Sequence, residues 1–173
     1  MEFTLQESFD ILERTPAVLE HLLGGLSDRW TSRNQGGETW SVYDIIGHLI
    51  HGEKTDWVTR AEIILSDNPD KTFPKFDRFA QFEESKGKPL SQILAEFKEV
   101  RGENLQTIRS RNLSPADLDL KGIHPAFGAV TMSQLLATWA VHDLNHLAQI
   151  ARVMAFQYKS AVGPWVEYLR ILQ

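Results

Sequence analysis

Apolar residues recur at helical spacing along four long segments of this 173-residue chain, and this periodicity limits the possible folds more than any other feature. The first series covers residues 5–26, and Pro16 within it is expected to kink or divide the helix. The other series cover residues 41–65, 90–108 and 131–158. No segment has a convincing alternating strand pattern. The sequence therefore predicts an all-α fold, a four-helix bundle of the up-down type.

Local signals mark the helix starts and the connections between the helices. Ser41–Asp44 and Thr131–Gln134 both look like capping boxes, in which a hydroxyl and an acid or amide three residues later satisfy the first backbone N–H groups. Residues 66–89 are too long for a simple loop and rich in phenylalanine, so they are predicted to pack as a structured crossover. Glycines and prolines argue against a helix over residues 114–128, and a short terminal helix is predicted over residues 163–172.

The composition narrows the class of protein. A length of 173 residues with 42% hydrophobic and 24% charged residues fits one globular domain over residues 1–173. The net charge of -5, without a basic patch, argues against nucleic acid as a partner. Neither a run of about 18 apolar residues nor a signal-like start is present, so we expect a cytoplasmic location without a membrane span.

Two histidines on the fourth helix are the strongest candidates for chemistry. The chain has six histidines and no cysteine, so a tight metal site would have to use imidazoles and carboxylates. His142 and His146 are four residues apart on an otherwise apolar stripe, a separation that lets two imidazoles converge on one ion. The alternative is a pair of core histidines, although burying both would leave several nitrogens in need of partners.

A third ligand would have to come from another helix. His48 is the best candidate, because its apolar neighbours place it near the inward side of the second helix. His51 lies one turn further on and nearer the helix edge. His21 is expected at the boundary of the first helix and His124 in a loop, so a structural or solvated role is expected for both.

Three stretches that contain or precede these histidines carry a family resemblance. Residues 40–49 begin with Trp-Ser-Val and continue to Gly-His-Leu, residues 124–131 begin with His-Pro-Ala-Phe-Gly, and residues 135–146 end in His-Asp-Leu-Asn-His. Together they resemble the DinB/YfiT-like family over nearly the whole chain. The resemblance implies a bundle with long crossover connections and a three-histidine metal site, with one ligand from the second helix and two from the last long helix. In this sequence, these ligands are His48 together with the pair His142 and His146.

The implied site is that of a metal-dependent enzyme. Three neutral imidazoles leave a divalent ion with its full charge and at least one open position, which is the arrangement of a Lewis acid. Zinc and nickel are the expected cofactors, and manganese is also compatible. The resemblance implies a homodimer, and either a transferase that uses a low-molecular-weight thiol or a hydrolase that acts on a small molecule. No catalytic residue beyond the metal ligands is assigned.

Two alternatives stay open. The segment His142–His146 also resembles the H-E-x-x-H motif of zinc proteases, but Asp143 replaces the glutamate that would act as general base, and Arg152 stands where one protease class needs a third histidine. The other alternative is a non-catalytic bundle that binds a metal or a small molecule. Neither Asp143 nor Asp44 is clearly directed inward by its position, and Asp44 is expected to serve the helix cap.

Overall fold

Helices make up most of the chain, as the apolar periodicity predicts. The computed structural model describes residues 2–173. In chain order its helices are α1 (Leu5–Leu12), α2 (Thr15–Leu23), α3 (Asp28–Thr31), α4 (Val42–Thr55), α5 (Trp57–Leu65), α6 (Ala80–Glu84), α7 (Leu90–Ser110), α8 (Pro115–Leu118) and α9 (Met132–Phe156). Strands β1 (Lys121–His124) and β2 (Gly128–Thr131) precede α9, and two 3₁₀ helices follow it, Gly163–Tyr168 and Arg170–Leu172. Within residues 2–173, no helix is both long and apolar enough to cross a membrane.

Reciprocal capping fixes the starts of the two helices that carry the candidate histidines. At α4, the Ser41 hydroxyl accepts a hydrogen bond from the Asp44 backbone N–H at 3.2 Å, and the Asp44 carboxylate accepts one from the Ser41 N–H at 2.9 Å. At α9, Thr131 and Gln134 make the same exchange at 3.1 and 2.9 Å. Both predicted capping boxes are confirmed, and Asp44 is a capping residue.

Two of the predicted long helices are divided. The first breaks into α1 and α2, with Pro16 in the first turn of α2, where its missing N–H costs nothing. The second breaks into α4 and α5 at Asp56, whose φ of -113° and ψ of -73° depart from regular helical values of about -63° and -42°. Asp56 is neither proline nor glycine, and the apolar spacing continues across it. Periodicity alone therefore does not reveal this second break.

A small hairpin corrects the expectation of a chain without strands. β1 and β2 pair antiparallel with Gly122 opposite Val130, and Gly128 adopts a positive φ of 72° in the turn. Gly122 is required by packing, because a Cβ there would lie 2.3 Å from the ring of Phe73. The Phe73 N–H donates to the Ile123 carbonyl at 2.9 Å, which ties the crossover after α5 to the hairpin. Strands of four residues are too short to give a recognisable alternation.

The helices pack as a four-helix bundle in which two positions are each filled by two shorter helices. α4 packs against α7 and α9, while α1 packs against α9 and α2 against α7. The starts of α4 and α7 share one apolar cluster, and α5 shares another with the end of α7. The crossover between α5 and α7 thus returns the chain along the bundle, and these two successive segments run in the same direction. This departs from the up-down order that the sequence predicts, because the crossover is long enough to span the bundle. The predicted helical bundle with long crossover connections is confirmed.

The apolar core consists of two clusters at opposite ends of the bundle. One is formed by α1, α5, the end of α7 and the first half of α9, and the other by α2, α4, the start of α7 and the end of α9. Between the clusters, three of the long helices place polar side chains in the interior. We call these side chains the polar layer, and they are Glu53, Arg101, Asp143, His48, His142 and His146.

Candidate metal centre

Three histidine side chains converge in the polar layer. His48 comes from α4, while His142 and His146 come from successive turns of α9. The Nε2 atom of His142 lies 3.1 Å from the Nε2 atom of His48 and 3.1 Å from that of His146. One nitrogen from each ring lies within 4.8 Å of the other two. The structure therefore brings together the three histidines that the sequence singles out.

Amide oxygens fix the outer nitrogens of two of these rings. His48 Nδ1 faces the side-chain oxygen of Gln81 at 3.2 Å, and His146 Nδ1 faces that of Gln149 at 2.7 Å. An amide oxygen only accepts, so each of these Nδ1 atoms carries the proton and each Nε2 presents a lone pair. His142 Nδ1 is buried and has no hydrogen-bond partner within residues 2–173. Two of the three rings are therefore held in the tautomer that a metal ligand needs.

Burial keeps the three imidazoles neutral. Burial, with the nearby His146, lowers the pKa of His48 to about 4. Burial and the two neighbouring rings lower the pKa of His142 strongly, and burial lowers the pKa of His146 although its hydrogen bond to Gln149 opposes the shift. At neutral pH all three rings are neutral, with one nitrogen of each free of a proton, and this is the form that binds a metal ion.

Aromatic side chains and a polar cavity surround the three rings. The ring centroid of Trp40 lies 4.9 Å and that of Phe76 5.4 Å from the ring of His48, and Trp57 lies 5.1 Å from the ring of His142. Phe76 belongs to the crossover, so this segment lines the site. An adjacent cavity of about 440 Å³ shares Trp40 with the site, and it is also lined by Gln149, Arg152, Asn145, Gln35, Glu38 and Thr39. Trp40 contacts His48 and Gln149 contacts His146, so this cavity is separated from the histidines by one layer of side chains.

The other histidines on α2, α4 and β1 do not join this group. His51 is buried rather than placed at the helix edge, because α6 covers this side of α4, and its Nδ1 lies 3.1 Å from both carboxylate oxygens of Glu84. His21 is exposed on α2, as expected for a boundary residue. His124 ends β1, and its ring stacks on Phe127 with 4.5 Å between centroids.

Asp143 is fully buried, although its sequence position did not clearly direct it inward. Both of its oxygens accept from the Arg101 guanidinium, at 2.6 and 2.9 Å, and Arg101 also donates to Glu53 at 2.8 Å. We call Glu53, Arg101 and Asp143 the ionic cluster. Glu53 accepts further bonds from Trp139 Nε1 at 2.8 Å and Asn104 Nδ2 at 2.9 Å. Burial opposes the charge of Arg101, but the two carboxylates raise its pKa. The buried face of α9 thus extends around the helix beyond the stripe that carries its two histidines, and it includes Asp143.

The nitrogen atoms fit one divalent ion. Two ligands of a tetrahedral ion with bonds of about 2.0–2.1 Å lie roughly 3.3 Å apart, close to the 3.1 Å between the Nε2 atoms of His142 and its two neighbours. Three imidazoles leave at least one position for water or a substrate. Among the described residues, no other set of three His, Asp or Glu side chains gathers its donor atoms in this way.

Sequence reasoning missed two parts of the site. Gln81 lies on the short helix α6 inside the crossover, where no periodicity indicates which side chains point inward. Arg101 does carry a signal, because Phe97 and Leu105 lie one turn away on either side of it. A single charge on an apolar stripe indicates a buried ion pair, since an unpaired charge would be too costly there.

A helical bundle with three convergent histidines defines a class of candidate metal proteins, and comparison with known sequences assigns this chain within it. Residues 11–150 match the family model of the DinB superfamily, and the chain belongs to this superfamily. A protein of Oceanobacillus iheyensis, whose name provisionally assigns it as a metal-dependent hydrolase, is 25% identical over 149 residues, which cover 84% of this chain and 83% of that protein.

A solved structure supports the fold. YfiT from Bacillus subtilis, described as a probable metal-dependent hydrolase with an unusual four-helix bundle topology, matches with a TM-score of 0.74 at 18% sequence identity. The match covers 92% of this chain and 91% of YfiT. At this identity the likeness establishes the shared four-helix architecture.

Proposed function

We propose that this protein is a metal-dependent hydrolase that acts on a small molecule, with one divalent ion held by His48, His142 and His146. The convergence of three neutral Nε2 atoms carries this proposal. The names of the Oceanobacillus relative and of YfiT point to the same reaction class. Zinc and nickel are the proposed occupants, with manganese as a third compatible ion.

The chain's own residues hold the ion and leave activation of the nucleophile to it. Gln81 and Gln149 orient two ligand rings through their amide oxygens. Glu53 and Asp143 are both bound to Arg101, so neither is free to take a proton from a reacting molecule. The ion would supply a Lewis acid that lowers the pKa of water, on zinc to about 7.

A transferase that uses a low-molecular-weight thiol is the second candidate. A thiol would be deprotonated at the same open position, without help from a carboxylate. The cavity beside Trp40 and Gln149 has about 440 Å³ of space, which accommodates either kind of small molecule. Both reactions require an open position on the ion that an external ligand can occupy.

We also propose that the protein forms a homodimer. Val141 and Leu144 on α9 are 62% and 47% exposed, and they border an apolar groove against α1. Apolar faces of this kind are typical of subunit interfaces. Light scattering after gel filtration should give twice the mass of one chain, and Leu144→Glu should give the single-chain mass. A monomeric wild-type protein would contradict the proposal.

Alanine substitutions test the metal ligands. Wild-type protein purified without a histidine tag should contain about one zinc or nickel ion per chain by elemental analysis. His48→Ala, His142→Ala and His146→Ala should each lose most of this metal, because two remaining imidazoles bind an ion far more weakly. His21→Ala and His51→Ala are the exposed and buried controls, and both should keep it. Equal metal content in all five variants would rule out the site.

A substrate screen separates the candidate reactions. The metal-loaded protein is assayed with ester, amide and phosphoester substrates, and separately with thiol and electrophile pairs. Hydrolysis that His142→Ala abolishes is the expected result. Turnover that requires a thiol would instead identify the transferase, and a protein that holds its metal but turns over none of these substrates would be a non-catalytic binding bundle.

A further inference from the structure

The ionic cluster is buried more completely than two of the histidines beside it. Arg101 and Asp143 are 1% and 0% exposed and Glu53 is 3% exposed, compared with 8% for His48 and 6% for His146. Buried ion pairs contribute little net stability, because desolvation offsets their attraction, and apolar residues of similar volume often serve as well. The stability of the bundle therefore does not by itself require these three charged residues.

Both carboxylates of the ionic cluster face N–H donors. The Asp143 oxygens face two Arg101 nitrogens at 2.6 and 2.9 Å. Glu53 Oε1 faces nitrogens of Arg101 and Trp139, each at 2.8 Å, and Oε2 faces the Asn104 amide nitrogen at 2.9 Å. All of these partners are N–H donors, an arrangement that suits carboxylate acceptors. One guanidinium and two carboxylates give the cluster a formal charge of -1.

The ionic cluster adjoins the histidines along the two helices that carry them. Asp143 directly follows His142 along α9, and Glu53 lies five residues after His48 in the chain, on α4. Packing also connects the two groups, since Trp139, which donates to Glu53, stacks on Trp57 at 6.0 Å, and Trp57 contacts the ring of His142 at 5.1 Å. Charges in the interior act on each other strongly because the local dielectric constant is low.

We propose that the net negative charge of the ionic cluster partly balances the positive charge of the metal ion. This charge strengthens the binding of a divalent cation to the three histidines. Its members are positioning residues, because they bond to one another and not to the ion. This inference rests on the proposed metal site. Part of the metal affinity would then come from charged groups that do not themselves bind the ion.

Removing one charge at constant size tests the proposal. Glu53→Gln takes away one negative charge and keeps an oxygen that accepts. Zinc affinity, measured by competition with a chromophoric chelator, should fall about tenfold or more. The loss should persist at about 1 M sodium perchlorate, since salt screens buried charges only weakly. The ligand-field bands of the cobalt(II) form should keep their positions, because the three imidazoles are unchanged.

Three further variants make the test specific. Glu62→Gln is the matched control, because Glu62 makes an ion pair with Arg111 at the surface, and it should bind zinc as the wild type does. Asp143→Asn removes the same charge from the other carboxylate and repeats the measurement if Glu53→Gln does not fold. Arg101→Lys keeps the charge of the cluster but loses the two-point contact, so it should lower the melting temperature while zinc affinity stays close to wild type.

The outcomes separate this inference from the proposed function. Equal zinc affinity in the wild type and in the charge-removing variants would mean that the ionic cluster does not act on the ion. A lower affinity with shifted cobalt bands would also overturn the inference, because it would reflect distorted ligand geometry. A wild-type protein that binds no zinc or other divalent metal would overturn the metal site itself.

Discussion

At the scale of single residues, Asp56 is the clearest source of pH dependence outside the histidine site. It stands at the break between α4 and α5, where it is largely buried and paired with Arg60. Burial raises the pKa of the Asp56 carboxyl to about 6, although Arg60 opposes the shift. This pKa exceeds the value of about 3.9 for an aspartate in the unfolded chain, so folding favours the protonated form of the Asp56 carboxyl.

The stability contributed by Asp56 should be present below about pH 4 and lost as the pH rises through 6. We therefore expect the free energy of unfolding of the wild type, relative to Asp56→Asn, to fall between pH 4 and 7 in urea titrations. Asp70→Asn is the control with the opposite sign, since hydrogen bonds from Thr72 lower the pKa of Asp70. A difference between wild type and Asp56→Asn that does not vary with pH would refute the expectation.

Residue patterns predict the candidate site only in part. His142 and His146 share a helix face in any regular helix, and the apolar neighbours of His48 direct it inward, so their proximity follows from spacing and amphipathicity. The contact between Gln81 and His48 joins residues 33 positions apart through an irregular segment. Such a contact depends on how the crossover packs, and no local pattern encodes it.

At the scale of elements, the fit of α6 against α4 depends on a glycine. A Cβ on Gly47 would lie 2.6 Å from the Ser85 hydroxyl and 3.7 Å from the Gln81 Cβ. Ser85 is buried and its carbonyl accepts a hydrogen bond from Tyr43, so its backbone is held against α4. The residue next to His48 therefore allows α6 to come close enough for Gln81 to hold the ring.

Gly47→Ala should push α6 away and lower both stability and metal affinity. Overpacking of this kind costs about 1–3 kcal/mol, more than the gain of up to about 1 kcal/mol from replacing a helical glycine by alanine. Gly102→Ala on α7 meets no atom within 4 Å, so this control should be neutral or stabilising and should keep its metal. Urea denaturation and chelator competition measure the two effects. A stabilised Gly47→Ala variant would contradict this packing argument.

Helices were predictable where their determinants are local, and other elements were not. The capping boxes at Ser41 and Thr131 are read within four residues, so α4 and α9 begin where the sequence places them. The hairpin, in contrast, is held by contacts with a distant segment, because Ile123 pairs with Thr72 and Gly122 packs on Phe73. Periodicity reports amphipathicity and cannot show where tertiary packing interrupts a helix.

At the scale of the whole molecule, the polar layer separates two apolar clusters that each draw on several helices. Neither cluster includes a histidine of the candidate centre. The bundle therefore has its own source of stability, unlike small zinc domains that are unfolded without metal. A metal ion would add to this stability by binding the folded state.

Chelation should consequently remove metal without unfolding the protein. The far-ultraviolet circular dichroism of the metal-free protein should stay strongly helical, while the melting temperature should fall by roughly 10 °C if the ion is present at about 1,000 times its dissociation constant. His21→Ala, treated in the same way, should behave as the wild type does. Complete loss of helicity on chelation would mean that the histidines close a structural site.

The tryptophans beside the histidines give the protein an optical reporter of its own. Trp40 and Trp57 lie 4.9 and 5.1 Å from the rings of His48 and His142. A paramagnetic ion such as copper(II) quenches indole emission at such short range, whereas zinc, with its filled d shell, does not. Copper should therefore dim the intrinsic fluorescence and a chelator that removes copper should restore it, which allows the occupancy of the site to be followed in the unlabelled protein. The same dimming in His142→Ala would place the copper elsewhere.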